Sequence, residues 1–176
     1  MKIKIIFIAT IIFLIGCSSA SNKTYIQQNN YQIVQMNEQS IPIISGAILW
    51  HDFLEKSKWS KNSINTKTAD ILISKSVCNI LNNGEYFLQI ITNTSSVRAE
   101  SQIPVIFKIF EIGNLQNNKY QLYSANKENI IYQHQEIYFK EIPTLIILHK
   151  NKEIGRISGL PKSSWEHDIL SILYKN

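Results

Sequence analysis

Apolar positions in this chain fall into blocks whose period changes along its length. The first block, Ile5 to Ile15, is broken only by Thr10 and follows Lys2 and Lys4. It is too short to span a bilayer as a helix and has the length of a signal peptide's apolar region. Ser, Asn and Gln then dominate to about Ser40 with no sustained period, which reads as a tether. Ile41 to Gly46 has the composition of a short strand or an extended entry. Trp50, Phe53, Leu54 and Trp59 follow at helical spacing and predict an amphipathic helix over Ile48 to Trp59. Their aromatic side chains are expected in the core or in domain packing rather than in a ligand groove. Ala69, Ile73, Val77, Ile80 and Leu81 share one side of a second helix, Thr66 to Leu81, which Asn82-Asn83-Gly84 stops.

Clearer strand signals begin at Tyr86. Tyr86 to Ile91 reads as a buried strand, and Tyr120 to Ser124 alternates like another. Between them Val105, Ile106, Ile109 and Phe110 form the buried face of a helix that Gly113 and Asn114 end. Glu141-Ile142-Pro143 opens an apolar run to Leu148, a polar corner interrupts it, and a second run returns to end at Gly159. That is the pattern of two antiparallel strands with the first one buried. Pro143 fits only at a strand's beginning, where no ladder N–H is needed, and Asn151 is the corner residue best suited to φ > 0. Near the C-terminus Ser163 and Glu166 make a capping-box signature, and Trp165, Ile169, Ile172 and Leu173 form the stripe of a terminal amphipathic helix.

Composition bounds what such elements can build. The 176 residues, 44% hydrophobic and 18% charged, suffice for one modest domain with a single core. The net charge of +5 is spread along the chain, which argues against nucleic acid as a partner. There is no Gly-rich phosphate loop. His51, His134, His149 and His167 have no metal-ligand spacing and no Ser/His/Asp arrangement, so neither a metal nor a cofactor is expected.

Leu14-Ile15-Gly16-Cys17, followed by Ser18-Ser19, resembles a bacterial lipobox. The resemblance implies cleavage before Cys17, acylation of its thiol and new amine, and a lasting partnership with the lipid bilayer. Ser18 is not the aspartate that retains such lipoproteins in the inner membrane, so the outer membrane, facing the periplasm, is favoured. Loss of residues 1–16 removes Lys2 and Lys4 and leaves 16 basic against 13 acidic residues, a net of +3. Residues 17–40 become the acylated N-terminus and tether, with a reach of about 25–30 Å, and residues 41–176 the domain. With Cys17 lipidated, Cys78 is left without an intramolecular partner. On a helix beside the apolar stripe it reads as a buried inert thiol. The functional alternative is an intermolecular disulfide or a resolving thiol.

Ile142-Pro143-Thr144, the apolar strand, the tight turn and Glu153-Ile154-Gly155-Arg156-Ile157 resemble the second half of the thioredoxin superfamily. The resemblance implies a three-layer α/β/α sandwich with a mixed sheet, a cis-proline at Pro143, and a short irregular helix within Glu128 to Phe139. It also places an active-site loop after the Tyr86 strand. Counting back from Pro104 puts the family's two thiols at Ser96 and Ala99, so the dithiol is absent. Ser96 at a helix N-terminus is expected to cap it.

The function implied is that of a redox-inactive binding module, more a chaperone or envelope-complex subunit than an enzyme. It would hold an extended peptide or an envelope protein beside Ile142 and Pro143, facing the degenerate active-site loop Ser95, Ser96, Val97, Arg98 and Ala99, in which Ser95, Ser96 and Arg98 favour polar or acidic partners. Thiol–disulfide exchange through Cys78 alone is the alternative. A third reading makes the Trp50, Phe53 and Trp59 aromatics a docking face on a scaffold.

Overall fold

The structure, a computed structural model, describes residues 24–60 and 67–175 apart from positions 29 and 38. Cys17 and the expected signal segment lie outside the described residues. Strands β1 (Thr24–Gln27), β2 (Tyr31–Gln35) and β3 (Ile43–Ile48) lead into helices α1 (Trp50–Ser57) and α2 (Ile71–Asn83). They are followed by β4 (Tyr86–Thr92), α3 (Val97–Gly113), β5 (Tyr120–Ser124), the hairpin β6 (Thr144–His149) and β7 (Lys152–Ser158), and α4 (Trp165–Leu173). One seven-stranded sheet runs β1-β2-β3-β5-β4-β6-β7, with β4 and β5 parallel and every other neighbouring pair antiparallel. The protein is therefore an α/β fold on a mixed sheet. Among the described residues no helix is long and apolar enough to cross a membrane.

Strand alternation sorts the core into two faces. Leu88 and Ile90 of β4, Leu122 of β5, and Leu145 and Ile147 of β6 point toward one side, where Phe53, Val77, Ile103, Ile106, Trp165 and Ile169 of the four helices meet them. Ile91, Tyr123 and Ile146 point the other way, against Ala125, Ile131 and Phe139. The helix expected within Glu128 to Phe139 is absent. Asn129 and Gln133 take φ of 59° and 62°, outside the helical region, and Asn126 Oδ1 accepts the N–H groups of Glu128 and Ile130. Ser45 Oγ donates to Ile130 O and accepts the Tyr132 N–H, which pins this irregular cover to β3. The layer beyond the sheet is thus coil, and the helices share the opposite face.

The tether expected over residues 17–40 ends earlier than expected. Thr24–Gln27 and Tyr31–Gln35 pair with each other, and the latter pairs with β3, placing Ile33 in the core at 7% exposure. Tyr31 packs against the same core while the remaining β2 side chains are half-buried, so a polar composition did not prevent the strand. The helix ends follow local chemistry. Asp70 caps α2 by accepting the Ile73 N–H, and Asn114 closes α3 in the left-handed region at φ 53°. For α4 the cap is Ser164, not Ser163, and Glu166 accepts the Asp70 N–H at 3.1 Å instead of closing a capping box. At the hairpin corner Asn151 has φ 63°, as its side chain favours, and Lys150 shares the strain at 52°.

Candidate functional site

The β4–β6 register aligns Ile91 with Thr144, so the chain leaving β4 meets the chain entering β6 at one end of the sheet. On the β4 side the loop is tied down before α3 begins. Asn93 Oδ1 accepts the Ser96 N–H at 2.8 Å, and Ser96 Oγ accepts the Ala99 N–H at 3.1 Å, the capping bond expected of it. Trp59 Nε1 donates to Thr94 O at 3.1 Å, and Glu100 Oε1 accepts the Ser60 N–H at 3.0 Å. Ser95, Val97 and Arg98 face solvent, with Val97 81% exposed, whereas Ala99 is fully buried.

On the β6 side the Ile142–Pro143 peptide is cis and Pro143 is buried. Pro143 O accepts the Gly159 N–H at 2.7 Å, and Thr144 Oγ1 donates to Glu141 O at 2.6 Å. Between those two ties, neither the N–H nor the C=O of Ile142 makes a hydrogen bond among the described residues. Arg98 Nη1 lies 3.3 Å from Glu141 Oε2, both side chains about half exposed, and the pair closes the gap between α3 and β6. Gly159 sits directly beneath it. Its φ is +73°, and a Cβ there would overlap the Glu141 carboxylate and stand 3.1 Å from Arg98 Nη1. Arg98 is therefore not the free cation the sequence suggested but half of a neutral pair. Such an exposed pair is worth at most about 1 kcal/mol, so an incoming charged group exchanges with it at little cost.

No nucleophile is armed here. The Ser96 hydroxyl is occupied as a cap, and the histidines are engaged elsewhere: His149 stacks on Tyr86, His134 contacts Tyr123 and Glu136, His51 pairs with Asp52, and His167 contacts Ser164. What the site offers is a main-chain donor and acceptor at Ile142, beside the exchangeable Arg98–Glu141 ion pair.

Cys78 lies in the seam between α2 and α3 and has no exposed surface. Its Sγ donates to Ile109 O at 3.6 Å, and a Cβ at Gly113 would overlap its side chain, so the two helices close tightly over it. Burial pushes the thiol up to about 11. At pH 7 the thiolate is then only about one part in ten thousand.

The aromatics divide between two roles. Phe53 and Trp59 are buried and stack edge to face at 4.8 Å. Trp50 lies parallel to Phe107 at 4.2 Å and, with Phe110 and Tyr120, lines a cleft of about 570 Å³ rimmed by the Lys108–Glu111 ion pair. On α1, His51, Asp52 and Glu55 bring one ligand atom each within 4.8 Å of one another, on a largely exposed face. Histidine spacing in the sequence gives no sign of that grouping, because two of its three ligands are carboxylates. Nor does it mark Glu141 and Gly159, for which a glycine closing an apolar run was the one available signal.

No family model matches the chain, and no curated protein does. A solved structure of PA1234, a protein of unknown function from Pseudomonas aeruginosa, is similar over 72% of this chain and 96% of its own, at 11% identity and a TM-score of 0.37. A likeness that slight carries no argument about what this protein does.

Proposed function

We propose that the protein is a thioredoxin-like, redox-inactive lipoprotein that binds an extended peptide segment beside Ile142 and Pro143. The observation that carries this reading is the unpartnered main chain of Ile142, held open between the Gly159–Pro143 and Thr144–Glu141 hydrogen bonds. An extended segment pairs with such a residue as an added strand, and main-chain pairing needs no thiol. The order β4-α3-β5 followed by β6-β7-α4, with strands in the order β5-β4-β6-β7, supports the thioredoxin-like assignment. So does the Arg98–Glu141 contact, which brings the first turn of α3 to the chain entering Pro143. The two positions that the family resemblance marks for thiols hold Ser96 and Ala99, and the described thiol, Cys78, is buried in another part of the fold.

Cys17 supplies the anchor in this reading, and the binding domain works from the outer membrane on the periplasmic side. Cys17→Ala abolishes incorporation of labelled palmitate and releases the domain from washed membranes. A variant that keeps its label refutes the anchor. For the binding site, a photo-crosslinking amino acid at the exposed Val97 captures an envelope protein in intact cells, and the same group at exposed Tyr174 does not. Equal adducts from both positions would remove the α3 N-terminus from the binding surface.

Exchange through Cys78 alone is the weaker reading. It requires α2 and α3 to part before the thiol meets a substrate, and no further observation favours it.

A further inference from the structure

β7 forms one margin of the sheet, paired with β6 on its inner side. One bond fixes the direction of its main-chain groups. Gly159 N–H reaches Pro143 O, and the pairs Ile157/Leu145 and Gly155/Ile147 continue that phase. Antiparallel alternation then turns the N–H and C=O of Ser158 and Arg156 outward. The ladder irregularity falls at Ile147/Leu148, so this outward stretch keeps regular strand geometry.

Beside it runs a groove of about 250 Å³ between β7 and α4. Leu160, 55% exposed, and Ile172 supply its apolar lining. Its charges are unequal in availability. The Asp168 carboxylate already accepts the main-chain N–H groups of Lys162 and Ser163, and the Arg156 guanidinium is held by Glu153 at 2.6 Å and Tyr138 O at 2.8 Å. Lys162 and Lys175 have no carboxylate partner among the described residues. The groove therefore pairs an open strand margin with two uncommitted cations.

We propose that an extended acidic segment of a partner protein adds to β7 as an eighth strand, its acidic side chains meeting Lys162 and Lys175. Main-chain bonds to Ser158 and Arg156 fix its register, and the groove accepts every second side chain. A second copy of this chain is a poor occupant, because its own β7 carries Lys152, Arg156 and one carboxylate, Glu153, which Arg156 already occupies, and so offers no free acidic group to Lys162 and Lys175. The surface adjoins Ile142–Pro143 at Gly159 but uses the outer side of a different strand, so it stands whether or not the reading of that site holds.

The test uses the full-length chain in detergent micelles and a short fluorescein-labelled peptide of alternating valine and glutamate, followed by anisotropy. Controls are the same peptide with lysine for glutamate, and the glutamate peptide with N-methylated valines. Only the first is expected to bind, with affinity falling as salt is raised. Lys162→Glu together with Lys175→Glu weakens it at least about tenfold. Ser158→Pro removes an outward N–H that takes no part in the β6 ladder, so it abolishes binding while the circular dichroism spectrum is unchanged. Absence of binding, equal binding of the lysine peptide, or full binding by a folded Ser158→Pro protein overturns the proposal. So does protection of the Ser158 amide from hydrogen exchange in a peptide-free dimer, which would give the margin to a second copy.

Discussion

Ser96 and Cys78 both place a nucleophilic atom near α3, and their surroundings are opposite. Ser96 stands half buried at the helix N-terminus, at the rim of an open main-chain site, but its oxygen is spent on the Ala99 N–H. Cys78 carries the more reactive atom, but Gly113 lets α3 close over it and burial holds its proton in place. Access lies at one place and reactivity at the other. A dithiol enzyme needs both together, whereas a binding module needs only the first.

The comparison breaks first if Cys78 is less buried than the geometry requires. Its thiol titrates near 9.0 when unconstrained and at about 11 in the fold. Below pH 9 both states keep the proton and the thiol adds no pH dependence. From pH 9 to 11 the unfolded chain releases its proton first and so binds fewer, and stability falls as pH rises. The loss reaches roughly 2–3 kcal/mol by pH 11. Urea unfolding between pH 8 and 11 should show wild type losing that much more than Cys78→Ala, which cancels the contribution of the other groups. Parallel curves for the two proteins would return Cys78 to the list of accessible thiols.

A smaller effect sharpens the other half. Ser96→Ala removes the α3 cap and should cost about 1 kcal/mol in thermal or urea unfolding. A folded Ser96→Ala protein with undiminished stability would mean that the hydroxyl is not committed to capping and is free for other use.

How much of this was legible in the sequence depended on how local the cause was. The β6–β7 hairpin was readable because Pro143 and Asn151 each satisfy a backbone requirement within a few residues. The Ser96 cap and the α2 stop were readable for the same reason. The β1–β2 hairpin was not, since among the residues of β2 Ile33 alone is fully buried and the Asn- and Gln-rich flanks resemble a tether. The coil over the second sheet face was mistaken for a helix because its fixing bonds run from Asn126 and from Ser45, the latter far away in sequence. Arg98 was read as a free cation because Glu141, its partner, belongs to the entry of another strand. Cys78 was correctly placed beside an apolar stripe, but nothing local announced that Gly113 would seal it.

The most direct test of binding without redox chemistry is the yield of photo-adducts from Val97 in intact cells, compared between the wild-type protein and Cys78→Ala, with and without a thiol reductant. The account predicts the same adducts at the same yield under all four conditions, because pairing at Ile142 involves no thiol. Adducts that vanish in Cys78→Ala, or that reductant added before irradiation prevents, would contradict it and make the buried cysteine the working group.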